Sequence, residues 1–270
     1  MCGIVGFSGC GDIRRIIAGA LGALQYRGYD ACGCAVWRGR EFDVRKEVGP
    51  DSLVRLTASL PSCRGVFSCL GHTRWATHGA NTIENAHPHL DCTGRIAVVH
   101  NGVVENYEQI KASLVSRGHI FRSQTDTEAV PHLIEEYLRL MPLREAVRRA
   151  LADIEGRFAI ALLAGGRAMA AGRRGLPLIV AMEGRNIWVT SDPAAVPDRA
   201  VTQIVLEDGE LFLSEGDVHA VVDIATGRQR ELRIEPLAAD RRATLRGAYA
   251  HYMLKEIHEQ PRAVADTRSE

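Results

Sequence analysis

The chain opens with Met1-Cys2-Gly3-Ile4-Val5-Gly6-Phe7, in which Cys2 directly follows the initiator methionine and Gly3 to Phe7 is the first predicted strand. If an aminopeptidase removes Met1, Cys2 carries both a thiol and a free α-amine. The thiolate is the attacking form of cysteine, with an unperturbed pKa of about 8.5. An α-amine titrates at about 7.7–8.0, close enough to neutrality to act as the base of the thiol. Position alone leaves two alternatives open, a catalytic nucleophile or a buried thiol without chemistry.

Composition limits the class of protein. The 270 residues, 46% hydrophobic and 24% charged, are typical of a soluble globular chain of one large or two small domains. Lys+Arg and Asp+Glu balance at 33 each, so nothing indicates a nucleic-acid partner. The start lacks the basic region of a signal peptide, and no apolar run approaches the roughly 18 residues that span a membrane. Seven cysteines without a regular framework favour a reducing cytoplasm over a disulfide scaffold.

Apolar periodicity predicts most of the helices before Gly156 and most of the strands after it. The predicted helices are Ile13 to Leu24, Asn106 to Arg117, Thr125 to about Leu140, Leu143 to Ile154 and Tyr252 to Glu259. The predicted strands after the first are Cys32 to Trp37, Arg95 to His100, Phe158 to Leu163, Pro177 to Met182, Asn186 to Thr190, Gln203 to Val205, Glu210 to Leu213, Val218 to Ile224 and Glu231 to Ile234. Strands at both ends with helices between them indicate an α+β fold in which sheets pack against helices.

Two proline positions bear on the predicted helix ends. Thr125-Asp126-Thr127-Glu128 has the form of a capping box, which predicts that a helix begins there. Pro131 lies a few residues inside that helix, so either the helix begins later or it bends. The last predicted helix stops at Gln260-Pro261, and the remaining residues show no core face, which indicates a linker or a detached helix.

The densest polar segment is Gly71-His72-Thr73-Arg74-Trp75-Ala76-Thr77-His78-Gly79, which we interpret as a binding loop. Its Arg74 is suited to bidentate binding of a substrate carboxylate. The alternative is a solvated loop. His100-Asn101-Gly102 ends an apolar run, and an Asn amide beside a Gly N–H is a suitable pair of donors for an oxyanion, although Asn-Gly also forms plain turns. Asp126 is suited to capping a helix or to holding a ligand ammonium.

A metal site is not expected from the histidine pattern. His72, His78, His87, His89 and His100 include no helical i,i+4 pair and no HExxH arrangement. Cys32-x-Cys34 lacks a second cysteine pair. We therefore predict neither a metal nor a cofactor.

Taken together, these segments resemble the class II glutamine amidotransferases, and within that class the glutaminase half of the enzymes that make glucosamine 6-phosphate. The resemblance runs along the whole chain in order. It rests on Met1 to Gly6, Tyr26-Arg27-Gly28-Tyr29-Asp30, His72 to Gly79, Asn85-Ala86-His87-Pro88-His89, Val98 to Gly102, Thr125 to Glu128 and His251-Tyr252-Met253. It implies an N-terminal-nucleophile hydrolase fold, a four-layer αββα sandwich.

The resemblance also implies residue roles. Cys2 would attack the amide of L-glutamine with its own α-amine as base, Asn101 and the Gly102 N–H would form the oxyanion hole, and Arg27 would hold the N-terminus. Arg74 would bind the glutamine carboxylate and Asp126 its ammonium. The pocket would be lined by Trp75, Thr77, His78 and His87. Ala31 departs from the family pattern, where a serine usually follows Tyr-Arg-Gly-Tyr-Asp.

Under the same resemblance, residues 1–240 would be the glutaminase domain, and residues 241–270 a linker leading to a sugar-phosphate isomerase half that this chain lacks. The chain would then make glutamate and ammonia, with fructose 6-phosphate as acceptor on the isomerase half, and would itself be mainly monomeric. Two alternatives stay open: a free-standing amidohydrolase, and a regulatory module that binds glutamine without turnover.

Overall fold

The computed structural model describes residues 2–61, 64–75, 79–166, 168–237, 249 and 252–267. The chain divides into two units, Met1–Leu237 and Ala238–Glu270. The described part of the second unit is dominated by the helix Tyr252–Thr267. No helix among the described residues is both long and apolar enough to cross a membrane.

Fifteen strands in the described part of the first unit form two antiparallel sheets. In chain order they are β1 Gly3–Asp12, β2 Ala31–Trp37, β3 Phe42–Val48, β4 Arg64–Arg74, β5 His89–Leu90, β6 Ile96–Gly102, β7 Phe158–Ala164, β8 Ala168–Arg174, β9 Ile179–Glu183, β10 Asn186–Thr190, β11 Thr202–Ile204, β12 Glu210–Glu215, β13 Val218–Asp223, β14 Gln229–Arg230 and β15 Ile234–Pro236. The strand order is β15-β11-β9-β10-β1-β4-β2-β3 in the first sheet and β14-β13-β12-β8-β7-β6-β5 in the second.

Five helices in the described part of the first unit cover the outer faces of the two sheets. Their bounds are α1 Ile13–Leu24, α2 Ser52–Ser59, α3 Tyr107–Ser116, α4 Ala129–Leu138 and α5 Leu143–Asp153, with α6 Tyr252–Thr267 in the second unit. Alternate residues of β1 face different layers: Phe7 packs with α1 and α2, whereas Ile4 packs between the two sheets. In β6, Val98 packs against α3, α4 and α5, and Val99 faces the first sheet. The predicted four-layer αββα sandwich is therefore confirmed.

This layering places the N-terminus in the middle of a sheet. Strand β1 pairs with β4, where Gly3 is opposite Thr73, and with β10, where Val5 is opposite Thr190. A Cβ on Gly3 would lie 2.6 Å from the Thr73 Oγ1, so this strand start accepts only glycine without a shift of its neighbours. Cys2 is thereby held at the edge of a buried layer.

The segment Gly71 to Arg74, which we predicted as part of a loop, belongs to strand β4. Both faces of β4 are covered here, one by α1 and the other by the second sheet, so the polar residues His72 and Thr73 are buried. The prediction is wrong because the polar side chains of this segment are buried and make their hydrogen bonds inside the protein. Strands β3, β5, β8 and β14, residues 64–70 of β4 and helix α2 were not predicted. The predicted strand Glu231 to Ile234 overlaps β15 only at Ile234.

The predicted capping box does not form. Thr125 makes no side-chain cap, and residues 126–128 form a 3₁₀ turn before α4 begins at Ala129. Instead, Glu128 accepts hydrogen bonds from the backbone N–H groups of Arg122 and Ser123 at 2.8 and 2.6 Å. Pro131 is the third residue of α4, where a helix N–H has no intrahelical partner, so it costs no hydrogen bond.

The predicted end of the last helix is also wrong. Helix α6 continues past Gln260 and contains Pro261 in its interior. A proline removes one N–H donor from a helix, and here the helix nevertheless runs to Thr267.

Candidate active site

The Cys2 thiol lies beside the backbone of Trp75. The Trp75 N–H donates to the Cys2 Sγ at 3.3 Å, and the Trp75 carbonyl oxygen lies 3.7 Å from it. Burial raises the pKa of the Cys2 thiol, while the Trp75 N–H and the positive charges of Arg74 and Arg27 act in the opposite direction. Because the net direction is upward, the thiol is mostly protonated at neutral pH, and attack on a substrate requires a base.

The backbone carbonyl of Cys2 is fixed by two side chains. Arg27 Nε donates to it at 3.2 Å, and Asn101 Nδ2 donates to it at 3.0 Å. Arg27 is itself held by a buried ion pair, with its Nη1 2.9 Å from the Asp192 Oδ2. Tyr26 also donates to Asp192, and the Ile4 N–H donates to the Ser191 hydroxyl at 2.9 Å. Residues 26 and 27 and residues 191 and 192 thus anchor the start of β1 from both sides.

Sequence reasoning missed Ser191 and Asp192. They follow β10 in a segment, Ser191-Asp192-Pro193, that reads as an ordinary turn. The structure brings it to the N-terminus only because β10 pairs with β1. The sole sequence signal was that Arg27 would need a buried carboxylate partner, and sequence alone cannot say which one.

Asn101 and Gly102 end β6 next to Cys2. The His72 Nε2 lies 3.1 Å from the Asn101 Oδ1 and 3.1 Å from the His100 carbonyl oxygen, so a single N–H on Nε2 serves two acceptors. This contact fixes which end of the Asn101 amide is the oxygen and turns Nδ2 toward Cys2. Gly102 has φ +125°, and a Cβ there would lie 2.1 Å from the Arg157 carbonyl oxygen. This position therefore requires glycine.

Four buried histidines lie behind Asn101: His72, His87, His89 and His100. The His87 Nδ1 is 3.1 Å from the His72 Nδ1, and the His87 and His89 rings are 4.8 Å apart. The cluster reaches the two hydroxyls that flank Asp126, because His89 Nε2 bonds Thr125 Oγ1 and His100 Nδ1 bonds Thr127 Oγ1, both at 2.9 Å. One buried network therefore connects Asn101 with the turn that carries Asp126.

Burial keeps these imidazoles neutral. It lowers the pKa of His72 to about 3 and lowers the pKa of His100. The pKa values of His87 and His89 fall well below the ordinary range for the same reason, with additional repulsion from neighbouring positive groups. A neutral imidazole can donate one hydrogen bond and accept another, and the series of hydrogen bonds from His87 through His72 to Asn101 requires both.

Acidification is expected to destabilise the fold once the pH falls below about 6.5, the ordinary pKa of an unfolded histidine. The folded chain keeps these rings neutral while the unfolded chain protonates them, so each such histidine lowers the free energy of unfolding by about 1.4 kcal/mol per pH unit. The loss continues until the pH reaches the folded pKa, about 3 for His72. Urea unfolding between about pH 7.5 and 5.5 measures the slope. A free energy independent of pH over this range would contradict the prediction.

Arg74 and Asp126 bring opposite charges to the neighbourhood of Cys2. Arg74 is buried, its Nη1 donates to the Ala80 carbonyl at 3.3 Å, and burial lowers its pKa, whereas Cys2, Asp30 and Asp126 favour its charged form. The Asp126 Oδ2 accepts the Val104 N–H at 2.7 Å. An α-amino acid carries a carboxylate and an ammonium, so it complements this pair of charges.

Of the four other predicted pocket residues, the structure describes two, Trp75 and His87. Trp75 is 42% exposed, and its ring lies 5.6 Å from the Tyr29 ring. A Cβ on Gly28 would lie 2.8 Å from the Trp75 backbone nitrogen, so this glycine permits the close approach of the two backbones at residues 28 and 75. His87 belongs to the buried histidine cluster. Thr77 and His78 lie outside the described residues.

The chain is similar to proteins of known name along most of its length. A family profile described as "Glutamine amidotransferase domain" matches residues 72–198. A protein of Pyrococcus horikoshii named glutamine--fructose-6-phosphate aminotransferase [isomerizing] is 39% identical, over 98% of this chain and 45% of its own length. The protein of the same name from Pyrobaculum aerophilum is 42% identical, over 99% of this chain and 45% of its own length. The chain thus spans less than half the length of these relatives.

Two solved structures share the fold. One is described as glutamine phosphoribosylpyrophosphate amidotransferase from B. subtilis complexed with ADP and GMP, and it aligns with a TM-score of 0.69 at 23% identity, over 83% of this chain and 50% of its own. The other is described as the allosteric regulatory enzyme of purine biosynthesis, with a TM-score of 0.70 at 24% identity, over 83% of this chain and 49% of its own. At these identities the likeness concerns the fold alone.

Proposed function

We propose, from the premise that the chain belongs to the class II glutamine amidotransferases, that Cys2 hydrolyses L-glutamine to glutamate and ammonia. The observation that carries the proposal is the pair of hydrogen bonds from Arg27 and Asn101 to the Cys2 carbonyl. These bonds bring a side-chain amide donor next to a thiol at the chain start. A thiol needs such a donor nearby when its attack creates an oxyanion.

In the proposed reaction, the Cys2 sulfur attacks the side-chain amide carbon after Met1 has been removed. The free α-amine takes the thiol proton, and the Asn101 amide and the Gly102 N–H stabilise the oxyanion. The C–N bond then breaks, and the proton passes to the leaving nitrogen, which departs as ammonia. Water hydrolyses the resulting thioester to glutamate and restores the thiol. The raised pKa of the Cys2 thiol supports a need for this base.

Arg74 and Asp126 are proposed to recognise the α-carboxylate and the α-ammonium of glutamine. Their mutual electrostatic attraction supports this, since a zwitterionic amino acid satisfies both charges at once. We also propose that Trp75, Thr77, His78 and His87 line the pocket, with His87 acting from within the buried histidine cluster.

We further propose that this domain, residues 1–240, supplies ammonia to a sugar-phosphate isomerase half, with fructose 6-phosphate as acceptor and glucosamine 6-phosphate as product. The names and greater lengths of the two relatives support this. Residues 241–270 would be the linker, and this chain alone would be monomeric and cytoplasmic. A free-standing amidohydrolase would need no such partner, so addition of the isomerase half should leave its products unchanged.

Covalent capture tests the proposal. The chain is treated with a glutamine analogue that carries a diazoketone in place of the amide, and its intact mass is measured. We expect the untreated chain to lack Met1, and the treated chain to gain one adduct, on Cys2. Cys10→Ser, which removes an exposed thiol on the same strand, should be labelled like the wild type, and Cys2→Ala should not be labelled. Retained Met1, or labelling of Cys2→Ala, would contradict the mechanism. Capture without ammonia release from glutamine would instead indicate a binding module.

A further inference from the structure

A second group of reactive side chains lies apart from Cys2. Among the described residues, Cys92, His119, His132 and Glu135 each direct one ligand atom toward a common point, and these atoms all lie within 4.8 Å of one another. Cys92 is in the turn between β5 and β6, His119 follows α3, and His132 and Glu135 are one turn apart on α4. We propose that these four residues bind a structural zinc ion.

The distances fit tetrahedral coordination. The Cys92 Sγ lies 3.4 Å from the His132 Nδ1 and 3.7 Å from the His119 Nδ1. The Glu135 Oε2 lies 3.2 Å from the His119 Nδ1 and 3.5 Å from the His132 Nδ1. Bonds of about 2.3 Å to sulfur and about 2.0–2.1 Å to nitrogen and oxygen, at tetrahedral angles, separate S from N by about 3.6 Å and N from O by about 3.3 Å. These four separations therefore match tetrahedral values to within about 0.2 Å, and all six separations among the ligand atoms are within 4.8 Å.

Both histidines direct Nδ1 to the common point, and His119 is also oriented by a carboxylate, as metal-ligating histidines usually are. The His119 Nε2 lies 3.1 Å from the Glu136 Oε2, within hydrogen-bond distance. The His132 Nε2 lies 3.7 Å from the Glu128 Oε1, which is too far for a hydrogen bond. A carboxylate on the far nitrogen fixes the tautomer of a ligating histidine and increases its basicity. The two imidazoles are almost fully buried, with 0% and 1% of their side chains exposed.

The charges of the cluster favour a divalent cation. With Cys92 as thiolate and Glu135 as carboxylate, two neutral histidines and Zn²⁺ give a site with no net charge. Zinc would replace the thiol proton, which is released on binding. A set of one sulfur, two imidazoles and one carboxylate suits zinc better than magnesium or calcium.

The ion would connect three separate parts of the fold: the turn after β5, the segment after α3, and α4. Four protein ligands leave no position for a substrate, so the role is structural rather than catalytic. The same connection between α3 and α4 carries Asp126. Ligand pairs close in sequence do not reveal this cluster, which is why no metal was predicted from the sequence. Here Cys92 and His119 join His132 and Glu135 through tertiary contacts.

Zinc content tests the proposal. The full chain, without a polyhistidine tag, is purified from zinc-supplemented medium and analysed by inductively coupled plasma mass spectrometry. We expect one zinc per chain in the wild type, in Cys10→Ser and in Cys2→Ala, and less than about a tenth of this in Cys92→Ser. Cys10→Ser controls for loss of an exposed thiol. Cys2→Ala separates this site from the nucleophile, so zinc is expected in a chain that hydrolyses no glutamine.

Cobalt binding gives a second test, which uses the wild-type chain and therefore does not require a ligand variant to fold. The wild-type chain is stripped with a chelator and titrated with Co²⁺. We expect ligand-field bands of tetrahedral cobalt and a thiolate-to-cobalt charge-transfer band, which Cys10→Ser keeps. A wild-type chain without zinc and without these bands would overturn the proposal. So would a Cys92→Ser chain with a wild-type zinc content, or zinc loss in Cys2→Ala.

Discussion

Cys2→Ala is expected to lower the rate of glutamine hydrolysis at least about a thousand-fold, because removal of a nucleophile leaves only the binding groups and the oxyanion donors to act on water. Ammonia release, measured with a coupled enzyme assay at saturating glutamine, gives the rate. The thiol hydrogen-bonds the backbone of Trp75 only weakly, at 3.3 Å to sulfur, so the folded state should persist. Its melting temperature checks this point.

The matched control for this variant is Cys10→Ser. Cys10 lies on the same strand β1 but is exposed, and we expect its replacement to leave the rate of hydrolysis unchanged. If Cys2→Ala retained more than about a tenth of the wild-type rate, Cys2 would not be the nucleophile.

Asn101→Ala is expected to lower kcat by about 100- to 1000-fold, the usual effect of removing one oxyanion donor. KM should change little, because the oxyanion exists only after attack and the donor is not proposed to bind the ground state. Steady-state ammonia release over a range of glutamine concentrations separates the two parameters. A loss below about tenfold, or a loss seen only in KM, would rule out the proposed role.

Asn186→Ala is the control for the structural part of this effect. Its side-chain amide also holds the backbone of β1, accepting from the Cys10 N–H at 2.8 Å and donating to the Cys10 carbonyl at 3.4 Å. Those contacts lie at the far end of the strand from Cys2. If holding β1 were all that Asn101 does, both variants would lower kcat alike. We expect only Asn101→Ala to do so.

Whether a helix or strand could be predicted from the sequence depended on how many of its faces are buried and on its residue types. Helix α1 was predicted because only one of its faces is buried, so Ile13, Ile17 and Leu21 recur at helical spacing. Strand β4 was missed between residues 71 and 74, since neither face there meets water and its polar groups are satisfied inside the protein. Strand β8, Ala-Met-Ala-Ala-Gly-Arg-Arg, was missed because it has no β-branched or aromatic residue.

In the candidate site, the residues suited to chemistry could be predicted, whereas most of the contacts that hold them in place could not. The side chains placed next to Cys2, Arg27 and Asn101 among them, are in segments that the sequence singled out. The groups that hold those side chains were harder to predict. Asp192, the partner of Arg27, was not singled out, and His72 was assigned to a binding loop rather than to a hydrogen bond with Asn101. Supporting contacts of this kind depend on strand pairing between distant segments. A single sequence does not specify such pairing, whereas residue types suited to chemistry are visible in it.

The central position of β1 also sets an order of events during synthesis. Among the three paired strands, β1 is translated before β4 and β10, which end at Arg74 and Thr190, so β1 cannot be enclosed until both have left the ribosome. At about 5–20 residues per second, some 190 residues take about 10–40 s. During that interval the nascent N-terminus remains open to methionine aminopeptidase. The proposed mechanism requires removal of Met1, and the late synthesis of β10 would leave time for this removal before the sheet closes over Cys2.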